Sequence, residues 1–125
     1  MLKRMDHVAL HVHDVPAAAR FYVEVLGFEK IHDSPGTGGQ AIAYVRLGNA
    51  SMIELTTRPG GEPMSGFHLG LESDDLAATA AKLTAAGLQL TIAPKPTTPR
   101  GDHQIGWKRA VFLGPHGETI EIKGP

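Results

Sequence analysis

A chain of 125 residues, 42% of them apolar, fits one ordinary domain or two small modules sharing a core. A formal net charge of −1 excludes a basic nucleic-acid surface and an acidic disordered tract as the chain's main feature. With no cysteine there is neither a disulfide framework nor a thiolate ligand, so any metal must sit on nitrogen and oxygen; no apolar run has the length of a membrane span or a signal peptide, and a cytoplasmic protein is expected.

The first strand is announced by alternation. Val8, Leu10 and Val12 interleave with His7, Ala9, His11 and His13, the period of a strand with one apolar face. Asp14 is placed to cap a helix, with Pro16 in its first turn, where a missing N–H costs little. Phe21, Tyr22, Val25 and Leu26 then fall on one helical stripe, and Gly27 ends it. Residues 28–31 are strand-like, and 41–47 with 51–57 form a hairpin around Gly48-Asn49. The Pro/Gly-rich stretch 58–66 reads as a linker. Beyond it come a strand at 67–73, a helix at about 75–86, Gly87, a strand at 88–92 and a loop. A strand at 107–113, a turn at Pro115-His116-Gly117 and a strand at 118–123 complete the chain.

These cues occur twice in one order. His7-Val-Ala-Leu matches His68-Leu-Gly-Leu, Asp14-Val15 matches Asp75-Leu76, and Gly27 matches Gly87. Leu47-Gly48 matches Leu113-Gly114, and Ile53-Glu54-Leu55 matches Ile120-Glu121-Ile122. The pattern predicts one α+β domain over 1–125, built of two βαβββ modules at about 4–58 and 65–123. Side by side they would form a curved eight-stranded mixed sheet with a polar cleft able to bind a metal.

The alternation also selects the cleft residues. Side chains two apart share a face of a strand. Val8 and Leu10 face the helix, so His7 is opposite. Ile53 and Leu55 set Glu54 opposite, Leu69 and Leu71 set His68 opposite, and Ile120 and Ile122 set Glu121 opposite. Two imidazoles and two carboxylates suit Zn, Ni, Co, Fe or Mn, with positions left for water or substrate. Two carboxylates without a cation would repel, which a metal relieves. Taken singly, a strand His is usually a surface or hydrogen-bonded residue and a strand Glu the wet face; the repeat is what makes these four a set. His11 shares the face of His7 but lies roughly 13 Å further along the strand, so it and His13, His32, His103 and His116 are read as ordinary polar residues. Lys95, Arg100, Lys108 and Arg109 lie in or beside the 94–106 loop. They are within reach of an anionic substrate, although solvated surface charge is the default reading.

The opening Asp6-His-Val-Ala-Leu, the helix end Arg20-Phe-Tyr-Val-Glu-Val-Leu-Gly-Phe28 and the closing Gly114-Pro-His-Gly-Glu-Thr-Ile-Glu-Ile122 resemble the vicinal oxygen chelate superfamily over nearly the whole chain. That superfamily pairs βαβββ modules. It includes glyoxalase I, methylmalonyl-CoA epimerase, extradiol dioxygenases, fosfomycin-resistance enzymes and metal-free bleomycin-binding proteins. The set His7, Glu54, His68 and Glu121 is similar to that of glyoxalase I; the epimerase usually has Gln at the position of Glu54. The resemblance implies one divalent metal (Ni, Co or Zn first, then Mn or Fe) and a homodimer. It implies a lyase or isomerase that shifts a proton through a metal-bound enediolate. The substrate would be the hemithioacetal of a 2-oxoaldehyde and a thiol such as glutathione. Glu121 would be the base, and Glu54 would take the second proton-transfer role. An epimerase, an Fe(II) dioxygenase and a non-catalytic small-molecule binder are the alternatives; no nucleic acid or membrane partner is implied.

Overall fold

The computed structural model describes residues 1–34, 41–57 and 66–125. All but the last residue of the expected linker at 58–66 lies outside the described residues. The chain divides into two compact units, Met1–Met64 and Ser65–Pro125.

In the first unit, β1 (His7–His11) leads to the helix α1 (Val15–Arg20) and a π-helical turn at Phe21–Val25. Strands β2 (Glu29–Ser34), β3 (Ile42–Arg46) and β4 (Met52–Thr56) follow. The Asp14 carboxylate accepts the Ala17 N–H at 2.9 Å, the capping role that the sequence assigns it. The apolar stripe at 21–26 does not continue as regular α-helix. The Leu26 N–H reaches back five residues to the Phe21 carbonyl at 3.2 Å. In this widened turn Tyr22 is fully buried, and its ring meets the edges of Phe21 and Phe28 at 5.5 and 5.3 Å.

The second unit repeats the order: β5 (His68–Glu72), α2 (Leu76–Ala85), β6 (Gln89–Pro96), β7 (Lys108–Leu113) and β8 (Thr119–Gly124). Asp75 caps α2 by accepting the Ala78 N–H at 2.9 Å. Strand β6 runs on to Pro96, four residues past the expected 88–92. It is an edge strand with register shifts at Leu90/Ile92 and Ile92/Lys95, and edges and bulges are where a ladder tolerates Pro94 and Pro96.

The eight strands divide four and four between two ladders, ordered β1-β4-β3-β2 and β5-β8-β7-β6. In each, the first and last strands of the module pair in parallel and the other pairings are antiparallel. One face of each sheet is apolar and covered by its helix. Leu10, Val12, Val45 and Leu55 are buried with Val15 and Ala18 in the first unit; Phe112, Ile120 and Ile122 are buried with Leu76 and Leu83 in the second. Burying such side chains supplies about 1.5–3 kcal/mol each before entropy is counted. The opposite face of each sheet keeps the polar members of the alternation.

Candidate metal and substrate site

Register places the four predicted donors. In the first sheet His7 stands opposite Met52 and Ala9 opposite Glu54, so His7 and Glu54 are diagonal neighbours on one face of a parallel pair. Their side chains meet, with His7 Nε2 3.3 Å from Glu54 Oε2. In the second sheet His68 stands opposite Thr119 and Gly70 opposite Glu121, the same diagonal. Here His68 Nε2 lies 3.9 Å from Glu121 Oε2. Among the described residues the donors stand as these two pairs, and no group of three or more His, Cys, Asp or Glu is assembled to hold a metal ion by itself.

The surroundings of the pairs differ. The Tyr44 hydroxyl, opposite Glu54 on β3, donates to Glu54 Oε2 at 2.6 Å, and its ring edge meets His7 at 5.7 Å. Hydrogen bonding to Glu54, with some burial, raises the Tyr44 phenol above its ordinary range and keeps it a donor. Asp6 Oδ2 lies 2.9 Å from His7 Nδ1. That hydrogen bond raises the His7 imidazole and lowers Asp6, against the opposing effect of desolvation; the charge of Glu54 adds to the rise of His7. A carboxylate on Nδ1 also fixes the neutral tautomer whose lone pair is on Nε2, the arrangement common behind metal-bound imidazoles.

Around Glu121 the partners are cations. Arg109 Nη1 donates to Oε2 at 3.0 Å, and Lys123 Nζ lies 3.3 Å from Oε1. Glu121 is only 13% exposed while His68 is 54% exposed. A hollow of about 340 Å³ opens beside them, walled by Arg100, Trp107 and Lys123. Its loop is built by Gln104, which is 4% exposed and accepts the Arg100 backbone N–H at 3.0 Å. A larger hollow, about 470 Å³, lies between α1 and the β2–β3 edge of the first unit, lined by Val15, Ala19, Val23 and Ile42 and by none of the four donors.

The donor chemistry fits a divalent cation, unevenly. Two ligands on neighbouring positions of one ion, each about 2.1 Å from it, stand about 3 Å apart. The His7–Glu54 separation is close to that. The His68–Glu121 pair is wider, and a cation there shares Glu121 with Arg109 and Lys123.

Of the other histidines, His32 on β2 stands opposite Tyr44, its ring 6.4 Å from the Tyr44 ring. His11 stands opposite Thr56, and its Nδ1 is buried without a hydrogen-bond partner among the described residues. His103 packs edge-on against Trp107 at 5.6 Å. His116, at the turn before β8, is half-buried. Sequence reasoning missed Asp6, Tyr44, Lys123, Gln104 and Trp107. Tyr44 and Lys123 were within its means: Tyr44 alternates with Ala43 and Val45, and Lys123 is two residues from Glu121 on the same face.

The model of the Glyoxalase/Bleomycin resistance protein/Dioxygenase superfamily matches residues 4–122. The chain is 31% identical to an ethylmalonyl-CoA/methylmalonyl-CoA epimerase of Cereibacter sphaeroides, covering 98% of each protein. It is 35% identical over 75 residues to an uncharacterised protein of Pseudomonas aeruginosa, covering 60% of this chain and about half (50%) of that protein's length. Among solved structures, TnmS3, an antibiotic binding protein from a Streptomyces species, is 29% identical with a TM-score of 0.77, covering 99% of this chain and 97% of that one. A glyoxalase I mutant from Zea mays shares the fold, with a TM-score of 0.79 at 20% identity, covering 98% of this chain and 44% of that one.

Proposed function

The chain belongs to the glyoxalase/bleomycin resistance protein/dioxygenase superfamily, and from that premise we propose that it is a metal-dependent enzyme that moves a proton beside a carbonyl group. The observation that carries this reading is the repeated contact of an imidazole Nε2 with a carboxylate Oε2, made by the same register in both sheets. In this reading His7, Glu54, His68 and Glu121 together hold one divalent ion, with Ni, Co or Zn the first to test. When bound, such an ion supplies Lewis-acid polarisation of a substrate oxygen and stabilises charge developing there.

The chain's own groups do the rest. Glu121 is the base that takes the proton from carbon and becomes protonated. Glu54 is the second proton carrier, which delivers a proton of its own to the adjacent carbon or to the opposite face; the two carboxyls reset by exchange with solvent. Tyr44 anchors Glu54 through Oε2, so that this carboxylate keeps one orientation. Asp6 holds the His7 ring by Nδ1 and leaves Nε2 directed at the site. Arg109 and Lys123 fix Glu121 from either oxygen.

Two substrates fit this chemistry. The first is the hemithioacetal of a 2-oxoaldehyde and a thiol such as glutathione, converted to a 2-hydroxyacyl thioester. The second is a 2-substituted malonyl thioester, epimerised at the carbon next to its carbonyl. The full-length similarity to the Cereibacter epimerase favours the second. The active assembly is read as a homodimer, which light scattering tests directly.

The deciding experiment strips the protein with chelator and reloads it with Ni, Co, Zn or Mn. Each form is then given the methylglyoxal–glutathione hemithioacetal or methylmalonyl-CoA in deuterated water. Metal-dependent thioester formation, or deuterium uptake at the 2-carbon, supports the reading and identifies the substrate. No exchange in either substrate with metal bound contradicts it and turns the assignment to a binding protein, the role named for TnmS3.

A further inference from the structure

The second sheet carries a row of like charges. Lys95 on β6 stands opposite Arg109 on β7, and Arg109 stands opposite Lys123 on β8. Residues opposed across neighbouring strands share a face with Cβ atoms about 5 Å apart, and like charges placed so destabilise a sheet. Arg100 adds a fourth cation at the wall of the hollow. Against these four stand two carboxylates, Glu72 opposite Lys123 and Glu121 two residues before it. The excess is not demanded by the fold. The corresponding step of the first sheet, two residues beyond Glu54, pairs Thr56 with Ile42.

We infer that Lys95, Arg100, Arg109 and Lys123 form a recognition row for an oxyanion of the substrate, a carboxylate or a phosphate, attached close to the carbon that loses its proton. Three features on the protein support this. Arg109 spends one donor on Glu121 at 3.0 Å and has four N–H groups left, so an oxyanion on the same guanidinium lies close to the base. Arg100 is held by its loop: its backbone N–H donates to Gln104 at 3.0 Å, Gln104 is buried, and the Gln104 backbone N–H closes onto Gly101 at 2.9 Å. Trp107 stands between this loop and β7 as an apolar wall, its carbonyl accepting the Thr97 N–H at 3.2 Å. Neutral substrates would leave the excess of positive charge over Glu72 and Glu121 uncompensated. This inference rests on the proton-transfer reading for the position of the oxyanion, but the row's ability to bind an anion does not.

The test titrates malonate, inorganic phosphate and acetate into the full chain, treated with chelator so that no metal-bound anion contributes, with amide chemical shifts as the readout. Malonate or phosphate binds about tenfold more tightly than acetate, and Lys95→Gln and Arg100→Gln each weaken it several-fold, the loss expected for a charge-assisted hydrogen bond at a partly exposed site. The tighter of the two dianions identifies the source, a carboxylate-bearing or a phosphate-bearing substrate. Equal affinity for all three anions, or unchanged affinity in both variants, overturns the row. A row that binds anions while neither candidate substrate is turned over leaves the row standing and removes the reaction. Turnover that ignores Lys95→Gln and Arg100→Gln does the reverse.

Discussion

The two sheets place a histidine and a glutamate at the same diagonal of the same parallel strand pair, yet they surround the glutamate with opposite chemistry. Glu54 is held by a phenol and an imidazole, Tyr44 at 2.6 Å and His7 at 3.3 Å. Glu121 is held by a guanidinium and an ammonium, Arg109 at 3.0 Å and Lys123 at 3.3 Å. The repeat thus preserves the backbone arrangement and varies the third partner. Glu121 carries its compensating charge within its own sheet, while among the described residues no Lys or Arg pairs with Glu54. In the proposed reading a divalent ion therefore matters most to the first pair, and the second has the means to attract a second anionic group. One register, repeated, thus carries two different electrostatic surroundings.

The comparison can be broken at several points. Glu121→Gln removes the proposed base but keeps a side chain of similar shape. Turnover is expected to fall by about 10²–10⁴, the usual worth of general acid–base catalysis, with metal still detected by elemental analysis; full activity would remove Glu121 from that role. Tyr44→Phe removes a hydrogen bond to a carboxylate, worth about 1.5–3 kcal/mol, and is expected to lower turnover about tenfold or more at unchanged metal content. Loss of metal instead would show that Tyr44 supports binding rather than orientation. Asp6→Asn sharpens the contrast, because the residue before His68 is Phe67 and supplies no such partner. Metal affinity should fall about tenfold, the low end for an outer partner, since Asp6 is well exposed. The smallest effects test where the modules agree. Asp14→Ala and Asp75→Ala should each cost about 1 kcal/mol and a few degrees of melting temperature, by equal amounts, with activity retained.

Much of this was legible in the residues. Period-two alternation placed His7, Glu54 and Glu121 on the faces opposite the helices, because burial of Leu10, Leu55 and Ile122 leaves no other orientation, and His68 on the face opposite the half-buried Leu69 and Leu71. Asp14 and Asp75 were readable as caps, since a short acceptor before a helix has one obvious use. The π-helical turn was not, because an apolar stripe at 21–26 looks the same whether the Leu26 N–H reaches back four residues or five. Nor was the 94–106 loop. Its form depends on one buried amide, Gln104, whose partner four residues earlier is set by the turn itself. The cations of the second sheet were partly visible as charges, but only the register of β6, β7 and β8 shows that Lys95, Arg109 and Lys123 stand in line.

The central claim is that the two His–Glu pairs serve one metal ion. Calorimetric titration of chelator-stripped protein with Ni, Co or Zn, run on the natural chain and on His7→Ala and His68→Ala, tests it most directly. One ion per chain in the natural protein, lost by about a hundredfold or more in affinity when either histidine is removed, is the predicted result. Two ions per chain, or a full complement of metal retained after removal of either histidine, would contradict it.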